Sequence, residues 1–450
     1  MTTQSNIENQ VNKFNYPSPL RAWMLVLLLT VAYVFSFIDR WILGLLIEPI
    51  KADMGLTDFQ IGLMLGPAFA IFYATLGVPL GWAADHVKRV WIVAAGIIVW
   101  SMATAASGLA KTFPHLFVAR MSVGVGEATL SPCAMSMITD SFPAEKRGLP
   151  IAFYSAALSV GAAIANLLGA AILTWANHTS SLSLPIVGTV APWQLTFFVL
   201  GIPGIFLGIV FLFLKEPKRQ QNTNTNIEVR SNPIHVLGYI KERLALFACF
   251  MSIFCYLTIT AYSQGWLAPM FQRTWGWSPV DYALVNGLVL LAIGPISISL
   301  AGVISDKWYQ NGRKEAPLII AIIGTLIVLP SGVMAPLMPS GELAIAVYAI
   351  NTVGITWMSA TGITALVNIV PSNIRAQMVA YYYMTMSLAG LFLGPTMVGY
   401  ISDNYFEANS LRNAMSIVPL IFGLPVLFLI PITRKLYLRE YNAVNAEANQ

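Results

Sequence analysis

Residues 55–89 read GLTDFQIGLMLGPAFAIFYATLGVPLGWAADHVKR, and residues 276–310 read GWSPVDYALVNGLVLLAIGPISISLAGVISDKWYQ. Both stretches start with glycine, carry a Thr or Ser suited to cap a helix two residues later, and continue as an apolar run. Both end in Gly-x-x-x-Asp followed by basic residues. This duplicated plan predicts a chain built from two halves with the same order of helices.

The composition indicates a membrane protein. Hydrophobic residues make up 57% of the 450 residues and charged residues only 10%, whereas soluble domains carry about 25% charged residues. A helix needs about 20 apolar residues to cross the hydrocarbon, and we predict twelve such spans. Spans 1 to 12 start near Ala22, Phe59, Val90, Pro114, Leu149, Pro192, Leu244, Pro279, Ala316, Leu343, Ala376 and Asn413.

The distribution of Lys and Arg predicts the orientation of these spans. Most of the 25 basic residues fall on the inner side if the amino terminus is cytoplasmic, and several of them cluster in the polar segment 216–243. Basic loops stay in the cytoplasm, so both termini are expected there, in a cell membrane and most simply a bacterial inner membrane. We call the cytoplasmic side of this predicted orientation the inner side and the opposite side the outer side.

A second echo supports the repeat. FPAEKRG at residues 142–148 matches VPSNIRA at residues 370–376, and both lie in predicted inner loops. We therefore expect an all-α polytopic membrane protein made of two parallel-repeat six-helix bundles. The expected divisions are a tail 1–21, a bundle 22–215, a cytoplasmic linker 216–243, a bundle 244–433 and a tail 434–450.

The Gly-x-x-x-Asp elements predict an inner gate. Gly81 and Gly302 stand where a neighbouring helix would need close approach. Asp85 is expected near the start of span 11 and Asp306 near the start of span 5, where each carboxylate can bind basic residues or a helix amino terminus. The alternative is that these charges only anchor loops at the headgroups. The remaining residues expected in this gate are Arg89, Arg147 and Arg375.

Four ionisable residues fall inside predicted spans. Asp39 and Arg40 lie in span 1, and Arg120 and Glu127 lie in span 4. Unpaired charges in hydrocarbon are costly, so these residues should face a cavity and one another. Arg120 and Glu127 are two helical turns apart, about 10.5 Å along one face.

This set predicts proton coupling. Burial favours the neutral form of a carboxylate and an adjacent Arg favours the charged form. We expect Asp39 and Glu127 to carry the proton, and Arg120 to switch between a carboxylate and an anionic substrate. The alternative is a fixed ion network that holds spans 1 and 4 together. Glu48 and Lys51, near the outer end of span 1, are expected to form a solvated pair, with a contribution to an outer gate as the alternative.

The residue types of the second half indicate that it lines much of a substrate path. Between the boundaries of its spans it offers polar and aromatic side chains in place of charges. Arg40 points about 100° away from Asp39, so it is expected either to pair with Asp39 or to serve the substrate. The candidate substrate-binding residues are Arg120, Arg40, Tyr33, Phe37, Asn166, Tyr256, Thr260, Gln264, Asn286, Asn351 and Tyr382.

Two stretches carry a resemblance to a known family. VFSFIDRWILGLLIEPIKADMGLTDFQIGLMLGPAF (residues 34–69) and RMSVGVGEATLSP (residues 120–132) resemble the Spinster-like branch of the major facilitator superfamily. Sugar-acid anion:cation symporters share a similar Asp-Arg in span 1 and Arg-x6-Glu in span 4. The resemblance implies the major facilitator fold with twelve transmembrane helices. It also implies proton-driven movement of lysolipids or sphingolipid-type amphiphiles through Asp39, Arg120 and Glu127.

The inner-loop motif departs from the superfamily's usual Gly-x-x-x-Asp-Arg-x-Gly-Arg. His86, Lys88 and Val90 replace expected residues around Arg89. Asp85 and Arg89 therefore remain as the carriers of the gating role.

Three functions compete on these observations. The first is a proton-coupled transporter of amphiphilic anionic lipids, the second a proton-coupled symporter of small organic or sugar acids, and the third an integral membrane enzyme. The four histidines and three cysteines are scattered without metal-ligand spacing, so no enzyme activity, metal or cofactor is expected. The expected partners are protons, a lipid-like or organic-anion substrate and membrane lipids, without nucleic acid, and the chain is expected to act as a monomer.

Overall fold

The computed structural model describes residues 16–143, 146–178, 182–184, 188–219, 233–371, 374–406 and 410–447, and it leaves out some side chains within these ranges. The described part of the chain is mainly helical. In the first half the helices are α1 (Pro19–Leu45), α2 (Ile47–Met54), α3 (Asp58–Leu65), α4 (Pro67–His86), α5 (Arg89–Ser107), α6 (Phe113–Glu127), α7 (Leu130–Ser141), α8 (Gly148–His178) and α9 (Pro192–Leu212). A hairpin of β1 (Leu182–Leu184) and β2 (Gly188–Val190) precedes α9 and pairs Ser183 with Thr189 in antiparallel register.

The second half is also helical. Its helices are α10 (Pro233–Glu242), α11 (Leu244–Ser263), α12 (Leu267–Trp275), α13 (Pro279–Gln310), α14 (Ala316–Met334), α15 (Gly341–Val367), α16 (Arg375–Tyr405) and α17 (Ser410–Glu447). Short 3-10 turns at Gln264–Trp266 and Ala335–Leu337 continue α11 and α14. The buried core of this half consists of Phe, Tyr, Leu, Ile and Met side chains.

Ten helical segments of the described residues are long and apolar enough to cross a membrane. Predicted spans 2 and 4 are each divided into two helices, α3 and α4 in span 2 and α6 and α7 in span 4. Span 2 breaks at Gly66, whose φ of −120° and ψ of −85° leave the helical region. Span 4 breaks after Glu127, where Ala128 and Thr129 separate α6 from α7.

The chain forms two compact units. One consists of Met1–Trp41 with Ile71–Glu228, and the other of Ile42–Ala70 with Val229–Gln450. Residues 42–70 thus group with the second half, although the repeat assigns them to the first half. The division into bundles at 22–215 and 244–433 stays a prediction.

The repeat is visible in local geometry. Gly55 and Gly276 occupy equivalent positions in the quoted stretches, and both end a helix in the left-handed region, with φ of 65° and 71°. Two residues later, the Thr57 hydroxyl accepts the Gln60 N–H at 3.2 Å, and the Ser278 hydroxyl accepts the Asp281 N–H at 3.0 Å. The second echo behaves in the same way. Arg147 Nε donates to the Phe142 carbonyl at 2.8 Å, and Arg375 Nη2 to the Val370 carbonyl at 3.3 Å.

Three features of the structure bear on these expectations. The predicted tail from residue 434 is helical, because α17 continues to Glu447 and Arg243 anchors its polar end through Glu440. The predicted linker contains α10, whereas its residues 220–232 lie outside the described residues. Among the described residues, no atom lies within 4 Å of a Cβ placed on Gly302, so the close approach expected there is absent.

Candidate functional site

Two helices of the first unit carry two ion pairs within the membrane-spanning region. Helix α1 supplies Ser36, Asp39 and Arg40, and α6 supplies Arg120 and Glu127. Small residues set the position of α6: a Cβ on Gly126 would lie 2.6 Å from the carbonyl oxygen of Gly96 in α5. Only glycine permits this backbone contact, which fixes the charged end of α6 against its neighbour.

Glu127 pairs with Arg40. Arg40 Nε lies 2.7 Å and Nη2 2.5 Å from Glu127 Oε2, and the Ser36 hydroxyl donates to the same oxygen at 2.6 Å. Glu127 is 2% exposed, so the pair lies in a low-dielectric environment where ionic hydrogen bonds are strong. Helical side chains lean toward the amino terminus, which brings the Arg40 guanidinium back to Ser36, one turn earlier.

Asp39 pairs with Arg120. Arg120 Nη1 lies 3.7 Å from Asp39 Oδ1 and 3.4 Å from the Asp39 carbonyl, and the Thr104 hydroxyl donates to Asp39 Oδ2 at 2.6 Å. Both charged residues are buried. The two pairs together balance two positive and two negative charges within one unit.

The structure shows which arginine contacts which carboxylate. Arg120, expected to bind a carboxylate, contacts Asp39, and Glu127 takes Arg40 as its partner. Seven residues separate Arg120 from Glu127, about 10.5 Å along α6, so an Arg120 engaged with Asp39 is far from Glu127. Sequence reasoning left the role of Arg40 open. The signal that could have assigned it is the i, i+4 spacing of Ser36 and Arg40, which puts both side chains on one face.

Several polar atoms of this network keep unused bonding capacity. Within the described part of the chain, Asp39 Oδ1, Glu127 Oε1 and Arg120 Nε are buried and have no hydrogen-bond partner. A buried polar atom without a partner carries a free-energy cost. The network is therefore able to accept further bonds from a proton, a water molecule or a ligand.

Aromatic rings surround the Arg40 guanidinium. Its carbon atom lies 5.4 Å from the centroid of the Phe37 ring and 5.0 Å from that of Tyr73. Tyr33 stacks on Tyr154 at 4.8 Å with an interplanar angle of 10°. The cation is therefore held by ring faces as well as by Glu127, and these rings give the site an apolar wall.

Candidate substrate residues of the second half form local contacts. Both Asn351 and Thr260 are buried, and Thr260 bonds to its own helix at Tyr256 and Leu257. Asn351 Nδ2 donates to the Val328 carbonyl at 3.0 Å and to the Ser331 hydroxyl at 2.9 Å. The amide hydrogens of Asn351 are thus used inside the second unit.

The other candidates differ in exposure. Tyr256 and Tyr382 are buried in the aromatic core, and Tyr382 contacts Phe254 at 5.5 Å. Gln264 is partly exposed and donates to Asn351 Oδ1 at 3.0 Å, and Asn286 is also partly exposed. In the first unit, Asn166 donates to the Ala162 carbonyl of its own helix at 2.9 Å. Gln264 and Asn286 are therefore the second-half candidates with surface left for a ligand.

The expected gate residues have several surroundings. Arg89 is buried and binds the Ser136 hydroxyl at 2.7 Å, Glu216 Oε1 at 2.9 Å and the Asp140 carboxylate. These partners belong to the same unit as Arg89, so the described contacts hold α5, α7 and the segment that follows α9 together. Asp306 is exposed. The surroundings of Gly81 and of the Asp85 side chain are not among the described features.

No group of three or more His, Cys, Asp or Glu side chains suited to hold a metal occurs among the described residues. The site thus consists of two ion pairs, two hydroxyl donors and aromatic rings.

Membrane-spanning helices, a duplicated plan and paired charges buried inside one half together define a membrane transporter. The sequence model of the Major Facilitator Superfamily matches residues 29–267, and the chain belongs to this superfamily. It is therefore a transporter rather than an enzyme.

Three known proteins are informative relatives. A bacterial homolog of the human lysosomal transporter Spinster, solved in an inward-facing and unoccupied conformation, has a TM-score of 0.78 at 25% identity and covers 96% of this chain and 98% of its own. An MFS-type efflux pump of Mycolicibacterium smegmatis is 26% identical over 86% of each protein. A hexuronate transporter of Bacillus subtilis is 24% identical over 84% of this chain and 87% of the relative. The Spinster-like resemblance is confirmed.

Proposed function

We propose that this protein is a proton-coupled transporter that moves amphiphilic anions of the lysolipid or sphingolipid type by alternating access. The observation that carries this proposal is the Arg40–Glu127 pair, with Nε and Oε2 2.7 Å apart, held among aromatic rings. An arginine that already binds a carboxylate is suited to bind the anionic head of a substrate instead.

The proton step follows from the cost of buried charge. When Arg40 turns to a substrate anion, Glu127 loses its cationic partner and takes up a proton, because an unpaired carboxylate is costly in this environment. Neutral Glu127 can then donate a hydrogen bond to Ser36, the residue that donates to it in the ion-paired state. Proton and anion thus occupy the site together without changing its net charge.

Asp39 and Arg120 are the second candidates for coupling. Their side chains are 3.7 Å apart, a looser contact than that of Arg40 with Glu127. Among the described residues, Arg120 Nε has no hydrogen-bond partner, so it can bind a substrate or Asp39. We propose that this pair supports the same exchange, with Asp39 as a second proton carrier.

The apolar part of the substrate is assigned to the aromatic wall. Tyr33 and Phe37 stand one turn apart on α1, and their rings are 5.0 Å apart. Such rings bind a hydrocarbon tail through buried apolar area. Gln264 and Asn286 are retained as polar contacts from the second half.

A symporter of small organic or sugar acids is the second candidate. The similarity to the hexuronate transporter favours it, and Arg40 suits a carboxylate equally well. A sugar acid needs hydrogen bonds to several hydroxyl groups, and the ring faces around Arg40 offer few of them.

The proposal also covers the orientation, the membrane and the oligomeric state of the protein. We assign both termini to the cytoplasm, the chain to a cell membrane of the bacterial inner type, and the working form to a monomer. The gating role of Asp85, Asp306, Arg147 and Arg375 also remains part of the proposal.

Transport by reconstituted liposomes tests the function. A proton gradient is imposed and uptake of a labelled lysophospholipid is compared with uptake of a labelled hexuronate. The proposal expects gradient-driven lysophospholipid movement that Glu127→Gln abolishes and that the exposed control Glu342→Gln retains. Gradient-driven hexuronate uptake alone would establish the second candidate, and lipid movement that ignores the gradient would remove the coupling.

A further inference from the structure

A carboxylate of α16 caps the first turn of α3. Asp403 Oδ1 accepts the backbone N–H of Asp58 at 3.1 Å, and Asp403 Oδ2 accepts that of Phe59 at 2.7 Å. The first N–H groups of a helix have no partner within the helix, and a negative charge is favourable at this end. Asp403 therefore binds the amino terminus of a helix from far along the chain.

The side chain of Asp58 forms the centre of a charged cluster at the same place. Arg273 binds it with two bonds, Nη1 to Oδ2 at 2.7 Å and Nη2 to Oδ1 at 2.9 Å. Lys51 and the Ser402 hydroxyl also bind Asp58. Glu48 binds Arg273 at 2.7 Å. Glu48 and Lys51, expected to form a solvated pair or to contribute to an outer gate, therefore take their described partners within this cluster.

Glycines bring the two helices together below this cluster. A Cβ on Gly399 would lie 2.3 Å from the Asp58 carbonyl oxygen, and a Cβ on Gly62 would lie 2.7 Å from that of Pro395. Backbone contacts this close need residues without side chains. The capping bonds of Asp403 depend on this approach.

The residues concerned repeat a pattern of the sequence. Residues 399–403 read GYISD, which is a third Gly-x-x-x-Asp, at the predicted outer end of a span instead of its inner end. The repeat aligns Asp58 with Pro279 and Asp403 with Trp175, so neither carboxylate has an acidic counterpart in the other half. The cluster therefore occurs once, unlike the duplicated inner elements.

We propose that Asp403, Asp58 and Arg273 form the outer gate of the transport cycle, an inference that rests on the proposed alternating access. Residues 42–70 belong by sequence to the first half, and Arg273 and Asp403 belong to the second. In this structure all three residues lie in the compact unit that joins residues 42–70 to the second half. In the proposed opening of the outer side, residues 42–70 leave this unit with the first half, which breaks the two capping bonds and the paired Arg273 contacts together. The gate stabilises the state in which the outer side is closed.

Distances between spin labels test the gate without any substrate. Cys133, Cys249 and Cys255 are replaced by Ala, and labels are attached at Ala52→Cys and Asn404→Cys, which are both exposed. Double electron–electron resonance in lipid nanodiscs is expected to give one dominant short distance. Asp403→Ala is expected to raise the ratio of long to short distances by about tenfold, from the loss of hydrogen bonds to a charged group.

Two further variants complete the test. Asp403→Asn keeps one acceptor oxygen and is expected to lie between the two distributions; it also carries the test if Asp403→Ala does not fold. The exposed acid of another outer helix end, changed in Glu342→Gln, is expected to leave the distribution unchanged. An unchanged distribution in the folded Asp403 variants would overturn the gate. Absence of lipid transport in liposomes would overturn the proposed function and leave this distance result intact.

Discussion

Arg40 binds Glu127 across two helices of the first unit, with Nη2 2.5 Å from Oε2, and the Ser36 hydroxyl donates to the same oxygen. Arg40 is also the more accessible partner, because its side chain is 14% exposed and that of Glu127 is fully buried. An anion that arrives in the site therefore meets the arginine first. The proposed coupling follows from this difference in access.

Arg40→Lys tests the substrate role. Lysine keeps the charge but lacks the planar fork that makes two contacts at once. We expect KM for the amphiphilic anion to rise about tenfold, which corresponds to about 1.4 kcal/mol, with kcat changed less. Initial rates in liposomes measure both constants. The exposed control Lys111→Arg should match the wild type, and an unchanged KM in Arg40→Lys would remove Arg40 from the substrate site.

Tyr33→Ala tests the aromatic wall. The change removes the ring that stacks on Tyr154 and contacts Phe37. Loss of an apolar contact of this size costs about 1.5 kcal/mol or more, so KM for a long-chain substrate should rise about tenfold. A short-chain analogue with the same head should be affected much less. Phe213→Ala, at a residue 84% exposed, is the control. Equal effects on both chain lengths would contradict the assignment.

The packing of α6 predicts opposite outcomes for two glycines. A Cβ on Gly126 meets the Gly96 carbonyl at 2.6 Å, and Gly302 meets no described atom within 4 Å. Gly126→Ala should lower the free energy of unfolding by about 1–3 kcal/mol, and Gly302→Ala should change it by less than about 0.5 kcal/mol. Thermal unfolding in detergent compares them. Equal stability of the two variants would refute the close contact between α5 and α6.

Arg89 is predicted to act within its own unit. Arg89→Gln leaves Asp140 and Glu216 without their cation, and breaking a buried pair in this way costs about 3–5 kcal/mol. We expect a large drop in thermal stability, whereas the exposed control Arg439→Gln should have none. A stable Arg89→Gln protein with altered gating would instead support the role expected from the sequence.

The sequence was informative wherever a short-range rule applies. Helix caps at Thr57 and Ser278 and left-handed glycines at 55 and 276 follow from local chemistry. The repeat could therefore be predicted from residue types and spacing alone. The membrane class also follows from such patterns, because long apolar helices suit the bilayer, and the superfamily was indicated by the resemblance of residues 34–69 and 120–132.

The partners of the charges could not be predicted in the same way. Whether Arg40 or Arg120 binds Glu127 depends on how α1 and α6 are rotated and displaced, and no spacing along one helix determines this. The capping of α3 by Asp403 depends on close glycine contacts between segments more than 300 residues apart. Close packing accompanies the breaks in spans 2 and 4, because a Cβ on Gly66 or Gly126 would meet a backbone carbonyl oxygen of another helix.

The most direct test of the central claim is proton exchange on substrate binding by the purified protein. An anionic lysophospholipid is added in weakly buffered detergent solution, and the pH change and the amount bound are recorded together. The account predicts that binding takes up protons in the wild type, and that Glu127→Gln binds the lipid with this uptake strongly reduced. Binding without proton uptake in the wild type, or equal uptake in Glu127→Gln, would contradict the account.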